Sequence, residues 1–90
     1  MDIIIKKIST QEFRKMGINN WPIWEKEASV FEWSYDDMEH FYLIEGKVNI
    51  KTEDKEYEVL PGDFVTCPKG LECNWEIKEY VKKYYHFSEE

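Results

Sequence analysis

The sequence predicts an all-β protein, a closed or double-sheet barrel with one short helix near its N-terminus. Three observations carry this. Apolar and polar side chains alternate with a period of two in several separate runs, the pattern of half-buried strands. Turn signals rich in Gly, Pro, Asp and Asn separate those runs at intervals of about ten residues, the spacing of sandwiches and barrels. Four Trp, six Tyr and five Phe among 90 residues supply large apolar area per residue, which a short chain needs because it buries only about 60% of the surface its unfolded form exposes.

The elements follow in order. Asp2 to Ile8 is β-branched and reads as a strand. Ser9, with Glu12 three residues on, forms a capping box for a short helix that Gly17 stops. Ile18 to Trp24 holds Asn19-Asn20 and Pro22 and reads as an ordered loop pinned by Trp21, Ile23 and Trp24. From Glu27 the period is two, with Phe31, Trp33 and Tyr35 on one side and Val30, Glu32 and Ser34 on the other. Asp36-Asp37 turns the chain into a largely buried strand, Glu39 to Glu45, that ends at Gly46. Val48 and Ile50 begin a hairpin that Glu53-Asp54-Lys55 closes onto Tyr57 and Val59. Leu60-Pro61-Gly62-Asp63 is a tight turn before Phe64 to Cys67, and Pro68-Lys69-Gly70 is another. Leu71, Cys73, Trp75 and Ile77 then alternate with polar neighbours, and Tyr80 to Phe87 is a last strand. The expectation is about eight strands in one domain spanning residues 1–90, with no repeats or linkers.

Two stretches resemble the paired motifs of the cupin superfamily. The first runs from Glu39 through six residues to Gly46; the second runs from Gly62 through Pro68 and Gly70 to Cys73. Trp21-Pro22-Ile23-Trp24, Phe31-x-Trp33, Leu43-Ile44-Glu45-Gly46 and Pro68-Lys69-Gly70-Leu71 make nearly the whole chain similar to the small single-domain cupins grouped with the (S)-ureidoglycine aminohydrolase cupin domain. The resemblance implies a cupin jelly-roll barrel and a homodimer. Turn chemistry alone accounts for Gly46, Gly62 and Gly70 as points where the chain reverses between strands.

The resemblance also allows the metal site of the superfamily to be placed by position. A metal-binding cupin commonly takes a His-x-His pair and a Glu from the first motif and a His from the second. Here the His-x-His positions fall on Trp33 and Tyr35, or on Glu32 and Ser34; the Glu is Glu39, the second-motif His is Cys73, and a frequent Asn is Ile77. The ureidoglycine aminohydrolase pattern, a Glu-x-His with a His at the place of Glu39 and a Gln at that of Cys73, is equally depleted. Glu39 and Cys73 are the remaining candidate ligands, one hard and one soft, too few for the four-coordinate site zinc prefers. No cofactor is expected, and a divalent metal would need further ligands. Alternation puts His40 on the face opposite Glu39, and His86 lies in a Tyr-Tyr-His-Phe run whose facing depends on register.

The expected site is therefore the barrel interior: a pocket of Trp33, Tyr35, Glu39, Phe41, Cys73 and Trp75 that binds a small polar molecule. A carboxylate stands at Glu39 where the hydrophobic pattern would accept Leu, and a desolvated carboxyl can act as general acid or base. A cupin enzyme acting through Glu39 on a ureido or other small polar substrate, with or without a metal, is the alternative function. Cys73 reads as a small buried hydrophobe rather than a reactive thiol.

Composition narrows the partners. A net charge of −7 repels a phosphate backbone, so nucleic acid is not an expected partner. No apolar run approaches the roughly 20 residues of a membrane span, and Met1 to Lys6 lacks the pattern of a signal peptide, so a cytoplasmic protein is expected. Free thiols at Cys67 and Cys73 follow from that compartment. The apolar Ile3-Ile4-Ile5 is the segment expected to cover a sheet edge in a homodimer.

Overall fold

The computed structural model describes residues 1–88. Among these residues seven strands form one antiparallel sheet that closes as a jelly-roll barrel, one strand fewer than the turn signals suggest: β1 (Ile4–Lys7), β2 (Ile23–Lys26), β3 (Ser29–Ser34), β4 (Met38–Lys51), β5 (Glu56–Val59), β6 (Asp63–Cys67) and β7 (Glu72–Ser88). The main path runs β1-β6-β4-β7-β2, with β3 also paired to β7 and β5 to β4. Helix α1 (Thr10–Lys15) and a 3-10 turn (Ile18–Asn20) precede β2. The segment read as a loop from Ile18 to Trp24 thus contains both that turn and the start of a strand. None of the helices is long and apolar enough to cross a membrane among the described residues.

Local chemistry explains the elements. Ser9 accepts from the Glu12 amide and Glu12 reaches back to the Ser9 amide, closing the capping box. Phe13 of α1 packs on Tyr42 and Tyr84, 4.9 and 5.8 Å between ring centroids, so the helix lies on the outer face of the sheet. Asp63 donates its amide to Leu60 and Gly62 sits at φ 93°, as the third position of a type II turn requires.

Two corrections concern the long strands. The motif ending at Gly46 does not end a strand, because β4 runs on from Met38 to Lys51 through a series of bulges between Leu43 and Val48. Likewise Glu72 to Ile77 and Tyr80 to Phe87 belong to one 17-residue strand, β7, with Leu71 in the turn before it. Gly46, at φ 104°, lies within the bulged stretch, where β7 passes close against it: a Cβ there would lie 2.3 Å from the Tyr80 carbonyl oxygen and 2.9 Å from Val81 Cα. Only a residue without a side chain lets the two long strands coil past each other.

The long strands carry the core. Phe41, Leu43, Val48, Ile50, Val59, Val65, Cys67, Trp75, Ile77 and Val81 fill the interior on a period of two. At the edge of the sheet, Ile3 turns into that core while Ile4 stands 60% exposed.

Candidate functional site

Glu39 occupies an interior position of β4, in phase with Phe41 and Leu43, and is only 2% exposed. Both its oxygens are engaged. The Tyr35 hydroxyl donates to Oε1 at 2.7 Å, and Lys83 Nζ donates to Oε2 at 2.7 Å. Lys83, itself 6% exposed, forms with Glu39 a buried ion pair. It is paired in register with Leu43 rather than with Glu39, so its side chain runs across the Phe41 ring to reach the carboxylate. Three rings surround its ammonium, with centroids at 4.5 Å (Phe41), 4.5 Å (Trp75) and 4.9 Å (Trp24). Such faces carry negative potential and replace part of the hydration a buried cation loses.

Backbone bonds hold the arrangement. The turn from Pro68 to Leu71 grips Tyr35 on both sides, the Tyr35 amide donating to Leu71 O at 2.9 Å and the Gly70 amide to Tyr35 O at 2.8 Å. Burial, reinforced by the Glu39 charge, moves the Tyr35 phenol far above its ordinary value, so it remains a proton donor to Glu39.

In front of the pair opens a cavity of about 190 Å³. Its wall is aromatic: Trp24, Phe31, Trp33, Trp75, Tyr85 and Phe87 surround Tyr35, Glu39 and Lys83. Phe31 stacks on Trp75 at 6.0 Å and 18°, and Trp24 meets Trp75 edge-on at 6.2 Å, which fixes the inner wall. Trp33 and Phe87 at the mouth remain 46% and 44% exposed.

A family model described as the EutQ-like cupin domain matches residues 13–85. The chain belongs to that cupin family. Its fold superimposes on a DUF861 family protein from Thermotoga maritima with a TM-score of 0.94 and 44% identity over 97% of this chain and all of the other. A DUF861 protein of unknown function from Pseudomonas syringae is 28% identical, with a TM-score of 0.68 over 73% of this chain and 29% of that one. The EutQ protein of Clostridium difficile matches in fold, with a TM-score of 0.70 and 19% identity over 97% of this chain and 68% of the other. No curated protein matches the chain at a significant level.

Of the residues expected to form the pocket of this cupin, Trp33, Tyr35, Glu39 and Trp75 come together around the cavity. Phe41 and Cys73 do not line it. Phe41 is fully buried behind Lys83, which stands between the ring and the cavity. Cys73 has its sulfur 3.7 Å from the Trp33 carbonyl, turned toward the backbone of the neighbouring strand. Lys83, with Trp24, Phe31, Tyr85 and Phe87, was absent from the sequence-based pocket. The available signal was the phase of β7, where Val81, Lys83, Tyr85 and Phe87 continue the inward alternation of Cys73, Trp75 and Ile77.

The donor set does not fit the metal of the superfamily. Glu39 is the one motif position that keeps a carboxylate inside the barrel, and an ammonium 2.7 Å away already occupies the place of a cation. Among the described residues, no three His, Cys, Asp or Glu side chains cluster as ligands. His40 lies on the outer face, its Nδ1 2.9 Å from the Thr66 hydroxyl, and His86 is its cross-strand neighbour there, against Trp21. Burial, and then the proximity of His86, lowers the His40 pKa.

Both thiols are free and buried. Burial pushes Cys67 up to about 12, against an opposing contribution from the Tyr35 hydroxyl. It pushes Cys73 up to about 11, against the nearby Trp75 indole N–H, which lies close enough to favour the thiolate but makes no well-aligned hydrogen bond. An unfolded thiol ionises near 9.0. Between about pH 9 and 12 the folded chain therefore holds more protons than the unfolded one, and stability falls as pH rises. Melting temperature is expected to drop through this window, and Cys67→Ala to shallow the drop relative to its own value at pH 7. An unchanged alkaline slope in that variant would contradict the assignment.

Proposed function

We propose that this cupin barrel binds a small polar molecule at the Glu39–Lys83 pair, its polar end on the pair and its body against the aromatic wall. The observation that carries the reading is a buried ion pair at the floor of an otherwise aromatic cavity. Sites for small ligands combine such a wall with a few convergent polar groups. A volume of about 190 Å³ holds the equivalent of roughly six waters, which sets the size of the ligand.

Hydrogen-bonding capacity narrows its chemistry. Each Glu39 oxygen accepts one bond and retains a lone pair, while Lys83 has donors beyond the one given to Glu39. A group with adjacent donor and acceptor, such as an amide or ureido group, meets both. The same geometry supports the enzymatic alternative: Glu39 touches two proton donors, Tyr35 and Lys83, and can move a proton on a bound ureido or other polar substrate without a metal. Metal-dependent aminohydrolysis, which the resemblance to the ureidoglycine aminohydrolase cupins implies, has no support in the donor set.

A thermal-shift screen with small amides, ureido compounds, sugars and carboxylic acids tests the reading. Binding raises the melting temperature with the logarithm of ligand concentration once that exceeds Kd, and Lys83→Met is expected to remove the rise. A screen in which no compound shifts the wild-type protein would refute it.

A further inference from the structure

From the cage around Lys83 we infer that its amine is a nucleophile that forms an iminium bond with small uncharged aldehydes or ketones entering the cavity. The inference rests on the binding reading of this site and adds covalent chemistry to it. Lys83 lines the cavity, with Phe41 closing the space behind it and Glu39 beside it. The open side of the ammonium is thus the cavity side. Its chain is held by the register of β7 against β4 and by three rings. An amine fixed in this way loses little freedom on reacting.

The groups needed for the step are in contact. The Lys83 ammonium passes a proton to the Glu39 carboxylate 2.7 Å away, and the freed nitrogen lone pair attacks the carbonyl carbon. The carbonyl oxygen takes that proton back from Glu39, giving a protonated carbinolamine. A second nitrogen proton then moves through Glu39 to the hydroxyl, which leaves as water while the nitrogen lone pair closes the C=N bond. In sum, an ammonium and a carbonyl compound become an iminium ion and water, with the positive charge conserved.

Conservation of that charge is why the site suits the reaction. The iminium remains paired with Glu39 and faces the same three rings, so their stabilisation of a cation is kept throughout. The substrate class follows from charge. Glu39 and Lys83 neutralise each other, and among the described residues no further cation lines the cavity, so a ligand carboxylate would meet Glu39 without a partner. An uncharged carbonyl compound with an apolar body fits the wall.

Reductive trapping tests this on the full chain. The protein is incubated at pH 7 with propanal, butanone or benzaldehyde and cyanoborohydride, and adducts are located by peptide mass mapping. Lys83 is expected to be modified at least about tenfold faster than Lys82, its half-buried neighbour, through its fixed position and adjacent base. Lys83→Arg, which keeps a cation but offers no primary amine, is expected to leave only the surface pattern. Glu39→Gln is expected to slow labelling of Lys83 by about tenfold or more. Labelling of wild-type Lys83 no faster than Lys82 would overturn the inference. If these probes or the amides then still raise the melting temperature, binding stands without the covalent step; if nothing does, both fail.

Discussion

Replacing Glu39 with Leu while leaving Lys83 in place is expected to destabilise the fold by about 3–5 kcal/mol, the cost of stranding one member of a buried ion pair. For a domain of this size that is a fall in melting temperature of roughly 15–30 °C. Lys83 would keep its three rings, worth about 2 kcal/mol when desolvated, but lose its only hydrogen-bond partner among the described residues. Tyr35 would lose the acceptor for its buried hydroxyl. Removing both charges should behave differently. Glu39→Leu with Lys83→Met is expected to recover most of the loss, because apolar groups of similar volume pack in a barrel without paying desolvation. Adding Tyr35→Phe removes the remaining orphan donor, worth about 1–3 kcal/mol. Denaturant unfolding of the set gives the coupling energy directly. A loss below 1 kcal/mol for Glu39→Leu alone, or a double variant as unstable as the sum of its singles, would contradict the account. If the apolar version is as stable as the parent but binds nothing in the thermal-shift screen, the pair belongs to the site rather than to the fold.

Half of that pair was legible in the sequence. Glu39 stands out because it shares a period of two with Phe41 and Leu43, both fully buried, and a charge in that phase points inward. Lys83 also lies in phase, with Val81 and Tyr85, but its partner is 44 residues away. The register of β4 on β7 slips three times between Leu43 and Val48, and no local pattern encodes those slips. Facing is a local property and pairing is not. The same limit explains Phe41, whose inward direction was readable while the side chain standing in front of it was not. The capping box at Ser9, the turns at Gly62 and Gly70, and the outward facing of His40 depend only on neighbours in sequence or on strand alternation, and the structure shows each of them. Gly46 was read as a chain reversal because a glycine after an apolar run usually marks one.

That glycine leads to the other large effect. Gly46→Ala is expected to cost about 3–5 kcal/mol, or to prevent folding, through two separate penalties. The added Cβ would meet the Tyr80 carbonyl oxygen at 2.3 Å and Val81 Cα at 2.9 Å. Both are backbone atoms of a paired strand and cannot rotate away, so β4 and β7 would have to separate at roughly 1–3 kcal/mol. The φ of 104° adds a strain of about 1–3 kcal/mol for any residue with a side chain. Gly17→Ala isolates the second penalty, because φ is 70° there and nothing lies within 4 Å of the new Cβ; about 1 kcal/mol is expected. The comparison also reaches the site. Val81 and Lys83 stand on the same face of β7, so a shift of that strand at Gly46 moves the ammonium relative to Glu39. A soluble Gly46→Ala protein should therefore lose ligand-induced stabilisation along with melting temperature, whereas Gly17→Ala should retain the full ligand response. Equal losses of stability in the two variants would show that the close crossing of the long strands does not hold the barrel as described.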